Sequence, residues 1–262
     1  MNAKLNYLLA LLGLLLWQPA TAQEIRLHFP YFAGKHWDLL FLRAQEQDTV
    51  LSGVIPPDGR VVLRIPPARQ GYIGMARWML REGGGIDMVV NGENFSVECL
   101  SDQPNDDNII YTGSAENDFL RRNHREQEQL LLQHEAIRML ERAYAPGHPL
   151  YAAAQTEKVE LERRWAAHRA RLAASPLYAA RFREIVDLTR GIGSQLEQSE
   201  PEKAAEVDDY LSRRMPWTAL YTSYHWSGVI YNWAQMHVLS IRSDAALPCA
   251  AVPFLWRPAK RV

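Results

Sequence analysis

The hydrophobic period of this chain changes once, and that change divides it. From residue 24 to about 111, apolar residues recur at every second position; beyond 114 they recur at helical spacing. A period of two suits a strand with one buried face, and a period near 3.6 suits an amphipathic helix. The two halves therefore call for different structures.

In the first half, "EIRLHF" sets Ile25, Leu27 and Phe29 against Arg26 and His28. "TVLSGVI" and "RVVLRI" flank "PPDG" at 56–59, a proline-led turn closing on Gly59, and together they predict a hairpin. "GYIGMARWML" then reaches "REGGG", which reads as a flexible link. Ile86, Met88 and Val90 share one face before "NGEN", and Phe95, Val97 and Cys99 share one after it. The Asn91–Gly92 step supplies the positive φ angles of a reversal there. Six to eight short strands with Gly- and Pro-rich turns predict an antiparallel β-sandwich or open barrel. Cys99 then faces the core as a small hydrophobe.

"SDQPNDDN" at 101–108 is a loop. Ser114 is predicted to cap a first helix, with Glu116 in its first turn complementing the dipole. Phe119, Leu130, Leu131, Ile137 and Leu140 mark its apolar stripe to about Tyr144, and Gly147 and Pro149 end it. A second helix covers about 150–174. A third is predicted from "SPLYAARF", with Ser175 as N-cap and Pro176 at the first helical position. A fourth starts near "SEPEKAAEV", with Pro201 placed in the same way. The expected class is α+β, a sandwich followed by an all-α region.

The segment "LYTSYHWSGVIYNWAQMHVLSI" at 220–241 concentrates two Trp, three Tyr and two His. Counted from Trp226, the residues Val229, Ile230, Trp233, Met236, His237 and Ser240 hold one helical face for four turns, and Thr222 or Ser223 can cap it. Such a stripe is ordinarily a core seam; the functional alternative is a ring-stacking pocket. Either way, so much aromatic area needs a partner surface. The following stretch carries Pro248, Pro253 and Pro258, which deny it helix and central strand. Residues 242–262 are accordingly expected to be an irregular, non-native tail left by a premature stop or frameshift. On that reading Trp226, Val229, Ile230, Trp233, Met236 and His237 bind a protein partner or a missing C-terminal domain, and the chain self-associates without it.

Residues 1–22 have the layout of a cleaved secretory signal: Lys4, an apolar run to Trp17, and Ala20 and Ala22 before the cut. The run is short for a bilayer span, so no transmembrane segment is expected after cleavage, and the product belongs in the periplasm or cell envelope. The sandwich then occupies 23–112 and the helical region 113–241. Loss of Lys4 leaves 28 basic against 30 acidic residues, a balance of −2. A nearly neutral chain without a basic block lacks the footprint of a nucleic-acid binder. "RRNHR" at 121–125 and "ERRWAAHRAR" at 162–171 read as solvated helix faces.

Candidate chemistry is sparse. Cys99 and Cys249 stand 150 positions apart with no CxxC, so neither has the neighbouring thiol of a redox centre. His124 and His134 would lie about 15 Å apart along one helix and cannot share a metal ion. No HExxH, GxSxG or phosphate-cradling Gly loop occurs. No catalytic, cofactor or metal residue is assigned.

The layout of "PPDGRVVLRIP", "GGIDMVVNGENFSVEC" and "IIYTGSAENDFL" resembles the N-terminal part of exported thioredoxin-like (TlpA-type) proteins of Bacteroidota. In these a β-sandwich of the DUF4369 type and a helical spacer precede a thioredoxin fold. The matching positions are Asp58–Gly59, Pro66 and the "GS.EN" step at Gly113–Asn117. The resemblance implies an envelope thiol–disulfide setting. Because the family's CxxC is missing, it also implies a non-catalytic accessory, partner-binding role. Two other expectations stand beside it. One is a stand-alone envelope binder of glycan or peptide, with Trp37, Tyr72 and Trp78 on a sandwich rim. The other is an enzyme using Cys99 alone.

Overall fold

A computed structural model describes residues 23–231 and 234. Its first half is a two-layer β-sandwich of eight strands: β1 (Glu24–His28), β2 (His36–Arg43), β3 (Glu46–Val54), β4 (Arg60–Arg64), β5 (Gly74–Leu80), β6 (Gly85–Val90), β7 (Phe95–Glu98) and β8 (Ile110–Thr112). One sheet runs β4-β1-β7-β8 and the other β3-β2-β5-β6. The alternation read from the sequence holds. Ile25, Leu27, Leu63, Phe95 and Val97 face Leu39, Phe41, Trp78 and Met88 across the sandwich core, and Cys99 is fully buried with them. The α+β class and the sandwich are as expected.

The connections correct the hairpin readings. "PPDG" does turn, with Gly59 N–H on the Pro56 carbonyl at 2.9 Å and φ +72 at Gly59. Yet β3 pairs with β2, and β4 pairs with β1 in the other sheet. "NGEN" likewise carries the chain from β6 in one sheet to β7 in the other, where β7 lies parallel to β1. Both turns are arches between layers. The "REGGG" link is the real hairpin, joining antiparallel β5 and β6. Alternation and turn residues are the same whether a chain returns beside itself or crosses the core, so they do not separate the two cases.

The second half holds α1 (Ala115–Ala143), α2 (Pro149–Ala174), α3 (Tyr178–Thr189), α4 (Glu200–Asp209), a π-helical turn (Tyr210–Arg214) and α5 (Trp217–Tyr221). A further helix opens at 226. The long α1 and α2 form a hairpin whose far part packs Leu130, Ile137, Leu161 and Trp165 together. Ser114 caps α1 as predicted, accepting from Asn117 N–H at 3.2 Å, and Ser199 with Glu202 forms a capping box on α4.

Ser175 and Pro176 do not open α3. Ser175 follows the end of α2, and α3 starts at Tyr178 without a local side-chain cap. Its first amides are satisfied from 62 residues away: Glu116 accepts from Tyr178 N–H at 3.1 Å and from Ala179 N–H at 2.7 Å. The adjacent Asn117 closes the exposed edge of β6, accepting from Val89 N–H at 2.8 Å and donating to Val89 C=O at 2.9 Å. The "GS.EN" step is therefore a joint: Ser114 caps α1, Glu116 ties α1 to the start of α3, and Asn117 docks α1 on the sandwich edge.

A second tie comes from the end of α5. Tyr221 C=O accepts from Ala44 N–H (2.7 Å) and Thr222 C=O from Met75 N–H (2.8 Å), so this segment is tied to the end of β2 and the start of β5. Gly74 leaves room for it, because a Cβ there would meet the Tyr72 hydroxyl at 2.6 Å and Thr222 Oγ1 at 2.7 Å. Between the ties, Leu42, Met75 and Val89 on the outer face of that sheet share a buried cluster with Phe182, Ile185 and Leu220. The sandwich and the helices are one packed body along this face. Among the described residues, no helix is long and apolar enough to cross a membrane.

Candidate ligand-binding cleft

Below the Asn117 clamp the two halves separate and leave a cleft of about 550 Å³. Its sheet wall is the edge of β6 with Tyr111 of β8; α1 and α3 form the other walls, and Tyr224 and His225 close one end. Asn117, Leu120, Arg121, His124 and Arg125 line it at i, i+3, i+4, i+7 and i+8, one face of α1. From α3, Arg183, Val186 and Arg190 line it at i, i+3 and i+7.

The charges on the two helix walls are answered differently. On α1, Arg125 pairs with Asp107 at 2.7 Å, and His124 Nε2 lies 3.2 Å from Glu128 and 3.8 Å from Asp106. Arg121 donates to the Ile109 carbonyl at 2.9 Å. On α3, Arg183 donates to Gln127 and reaches Asp187 at 3.1 Å, while Asp187 also holds Arg169 at 2.8 Å. The exposed Arg190 guanidinium makes no hydrogen bond or ion pair with a described residue. Arg183 Nε, His225 Nε2 and His124 Nδ1 are buried with no hydrogen-bond partner among the described residues. Buried polar atoms are rarely left so; others of this kind lie elsewhere in the fold, and these three belong to side chains that line the cleft.

The β6 edge adds a backbone donor. Val89 N–H and C=O both turn away from β5, and in an antiparallel ladder residues two apart share that direction. Asp87 therefore presents its backbone outward as well. Tyr111 Oη donates to its carbonyl at 3.2 Å, which leaves the Asp87 N–H on the cleft side. The Asp87 carboxylate is engaged by Arg77 at 2.6 and 2.8 Å, and Arg77 in turn lies over the Tyr224 ring at 5.8 Å.

Burial, reinforced by Arg190 and Arg183, pushes the His225 imidazole down from its usual 6.5 to about 4. Burial raises the Tyr224 phenol, and burial also lowers Arg183 despite Asp187. At neutral pH His225 is thus an uncharged donor or acceptor. The unfolded chain takes up a proton near pH 6.5 and the folded chain does not, so protonation favours unfolding. Stability is then expected to fall as pH drops from 6.5 towards 4 and to level off below, by roughly 2 kcal/mol after discounting for solvent. Denaturation midpoints of wild type and His225→Phe across pH 4–8 check this. The variant's profile should be flatter in that window; parallel profiles would refute it.

The other site expectations fare variously. Trp226 is half-buried, with Trp217 and Tyr221 edge-on to it at 6.4 and 5.5 Å. Val229 is buried and Ile230 half-buried. Trp233, Met236 and His237 lie outside the described residues, as does Cys249. Trp37, Tyr72 and Trp78 are not rim residues: they are 6%, 6% and 2% exposed and belong to the sandwich core. Their strands are buried on that face, so an aromatic there packs instead of projecting. Cys99 is enclosed and unavailable as a nucleophile on the surface. "RRNHR" is no plain solvated face, since Arg121, His124 and Arg125 line the cleft. Sequence reading passed over Arg183 and Arg190, although their seven-residue spacing already puts them on one face of a helix.

No protein-family model, curated protein or solved structure matches this chain.

Proposed function

We propose that this chain is an exported, non-catalytic binding module, the partner-contacting portion of a thioredoxin-like system, and that it takes hold of its ligand in the cleft between sandwich and helices. The observation that carries this is the convergence of Arg190, Arg183 and His225 on one end of the cleft, where the Arg190 guanidinium has no acceptor among the described residues and Arg183 Nε and His225 Nε2 are buried behind the surface without one. A pocket of several hundred Å³ with mostly apolar walls and a few convergent polar groups is the usual form of a ligand site. The thioredoxin-like setting is supported by the resemblance in layout at Asp58–Gly59, Pro66 and Gly113–Asn117.

Methyl-labelled NMR of the full chain tests the site. Fragments from a mixed-charge library are expected to shift the methyl signals of Ile86, Ile109, Leu120 and Val186, and a thioredoxin-like domain added in trans should displace them. Fragment shifts that gather elsewhere, or nowhere, would end this reading of the cleft. Displacement by no such domain, with the fragments still bound, favours the stand-alone envelope binder, whose ligand site is then the same cleft and not a sandwich rim.

A further inference from the structure

We infer that the cleft selects a carboxylate joined to an apolar or aromatic group, as at the end of a peptide with a hydrophobic last residue, and seats the carboxylate beside Arg190. The inference rests on the cleft being the binding site and adds the chemical class of what enters it.

Charge places the anionic end. On the α1 wall Arg125 is held by Asp107, His124 is flanked by Glu128 and Asp106, and Arg121 keeps its charge but is turned to the Ile109 carbonyl at 2.9 Å. These carboxylates would repel a second negative group. Uncompensated positive charge remains on the α3 side, where Arg190 has no partner among the described residues and Arg183 shares Asp187 with Arg169. One negative group at one end matches this asymmetry, and a group with two does not.

Hydrogen bonding agrees with the placement. Arg190 offers a planar fork that no described residue engages, the geometry that receives a carboxylate in two parallel bonds. Arg183 Nε and, in one of its two tautomers, Nε2 of the neutral His225 ring are further donors, both buried behind the surface of side chains that line this end. All three groups call for acceptors.

The remaining walls call for an apolar body. Ile86, Ile109, Leu120, Phe182 and Val186 line the cleft with the Tyr111 ring. A volume of 550 Å³ lies in the range of sites for small organic ligands, and a bare inorganic anion would leave most of those side chains uncovered.

The test titrates the methyl-labelled full chain at pH 7 with four probes: N-acetyl-Ala-Phe, its C-terminal amide, 3-phenylpropionate and inorganic phosphate. The free acids are expected to shift Ile86 and Val186. The amide should bind about tenfold or more weakly, because it forfeits the charged contacts. Phosphate should leave these signals in place. Arg190→Ala should weaken the acids about tenfold and leave the amide unchanged. Tighter binding of the acetylated dipeptide identifies a peptide end as the source, and tighter binding of phenylpropionate a free aryl carboxylate. An amide as good as the acid, phosphate competing at equal strength, or acid binding indifferent to Arg190→Ala would overturn the inference. If library fragments bind the cleft but none of these probes does, the ligand class is wrong and the site stands. If nothing binds there, both fall.

Discussion

Asp187→Ala is expected to cost about 3–5 kcal/mol, the usual loss when one partner of a buried ion pair is removed. Asp187 is completely buried and accepts from two guanidinium groups, Arg169 on α2 and Arg183 on α3. Arg183 also reaches Gln127 on α1, so a single carboxylate joins three helices. Its loss leaves two positive groups side by side, one only 7% and the other 13% exposed, with water largely excluded. The effect is not the loss of two favourable contacts; it is the cost of charges left without an answer. A chemical denaturation midpoint measures it. Asp187→Asn keeps the volume and separates charge from packing: it should recover little of the loss. A variant within 1 kcal/mol of wild type would show that the two arginines find other partners or solvent. Since Arg183 lines the cleft, a folded Asp187 variant should also lose the carboxylate-binding geometry of the α3 wall.

Glu116→Ala is expected to destabilise by about 2–4 kcal/mol, since it orphans two buried amides at the start of α3 that have no local cap. Glu116→Gln keeps one acceptor oxygen and should recover part of the loss. Native-state hydrogen exchange distinguishes this from a general weakening: protection of the Tyr178 and Ala179 amides should fall first and furthest. Equal loss of protection across the whole chain would speak against a capping role. The same experiment probes the joint, because Asn117, the next residue, holds the β6 edge at Val89. If the two act together, Glu116→Ala should also speed exchange at Val89.

These two residues show where sequence reading reaches its end. Glu116 was legible as a helix-start residue, because acids favour the first turn of a helix. Nothing in the spacing showed that it would cap a second helix 62 positions later. The Ser175–Pro176 signal pointed to a local start for α3, and the structure begins that helix two residues further on with a remote carboxylate in the capping role. The arches at "PPDG" and "NGEN" make the same point for strands. Local turn chemistry says that the chain reverses, and only the pairing of distant strands says into which layer. One warning was present: "LLFL" at 39–42 and "MVV" at 88–90 break the alternation, as strands do when both faces are covered. Those runs lie where α3 packs on the outer face of the sheet.

The cleft was half-legible. Arg121, His124 and Arg125 on one helical face, and Arg183, Val186 and Arg190 on another, are visible as stripes. A basic stripe on a helix usually meets solvent, and no count along one helix shows that two such stripes face each other across a sheet edge.

The sequence by itself determined the class and order of the elements: a sandwich with its inward residues, then helices with their stripes and most of their ends. These depend on interactions within a few residues, which spacing records directly. The tertiary structure decided strand order, the capping of α3, the joint at Gly113–Asn117 and the cleft beneath it. Those arise when groups far apart in the chain are brought within hydrogen-bond distance, and a linear pattern carries no measure of that distance.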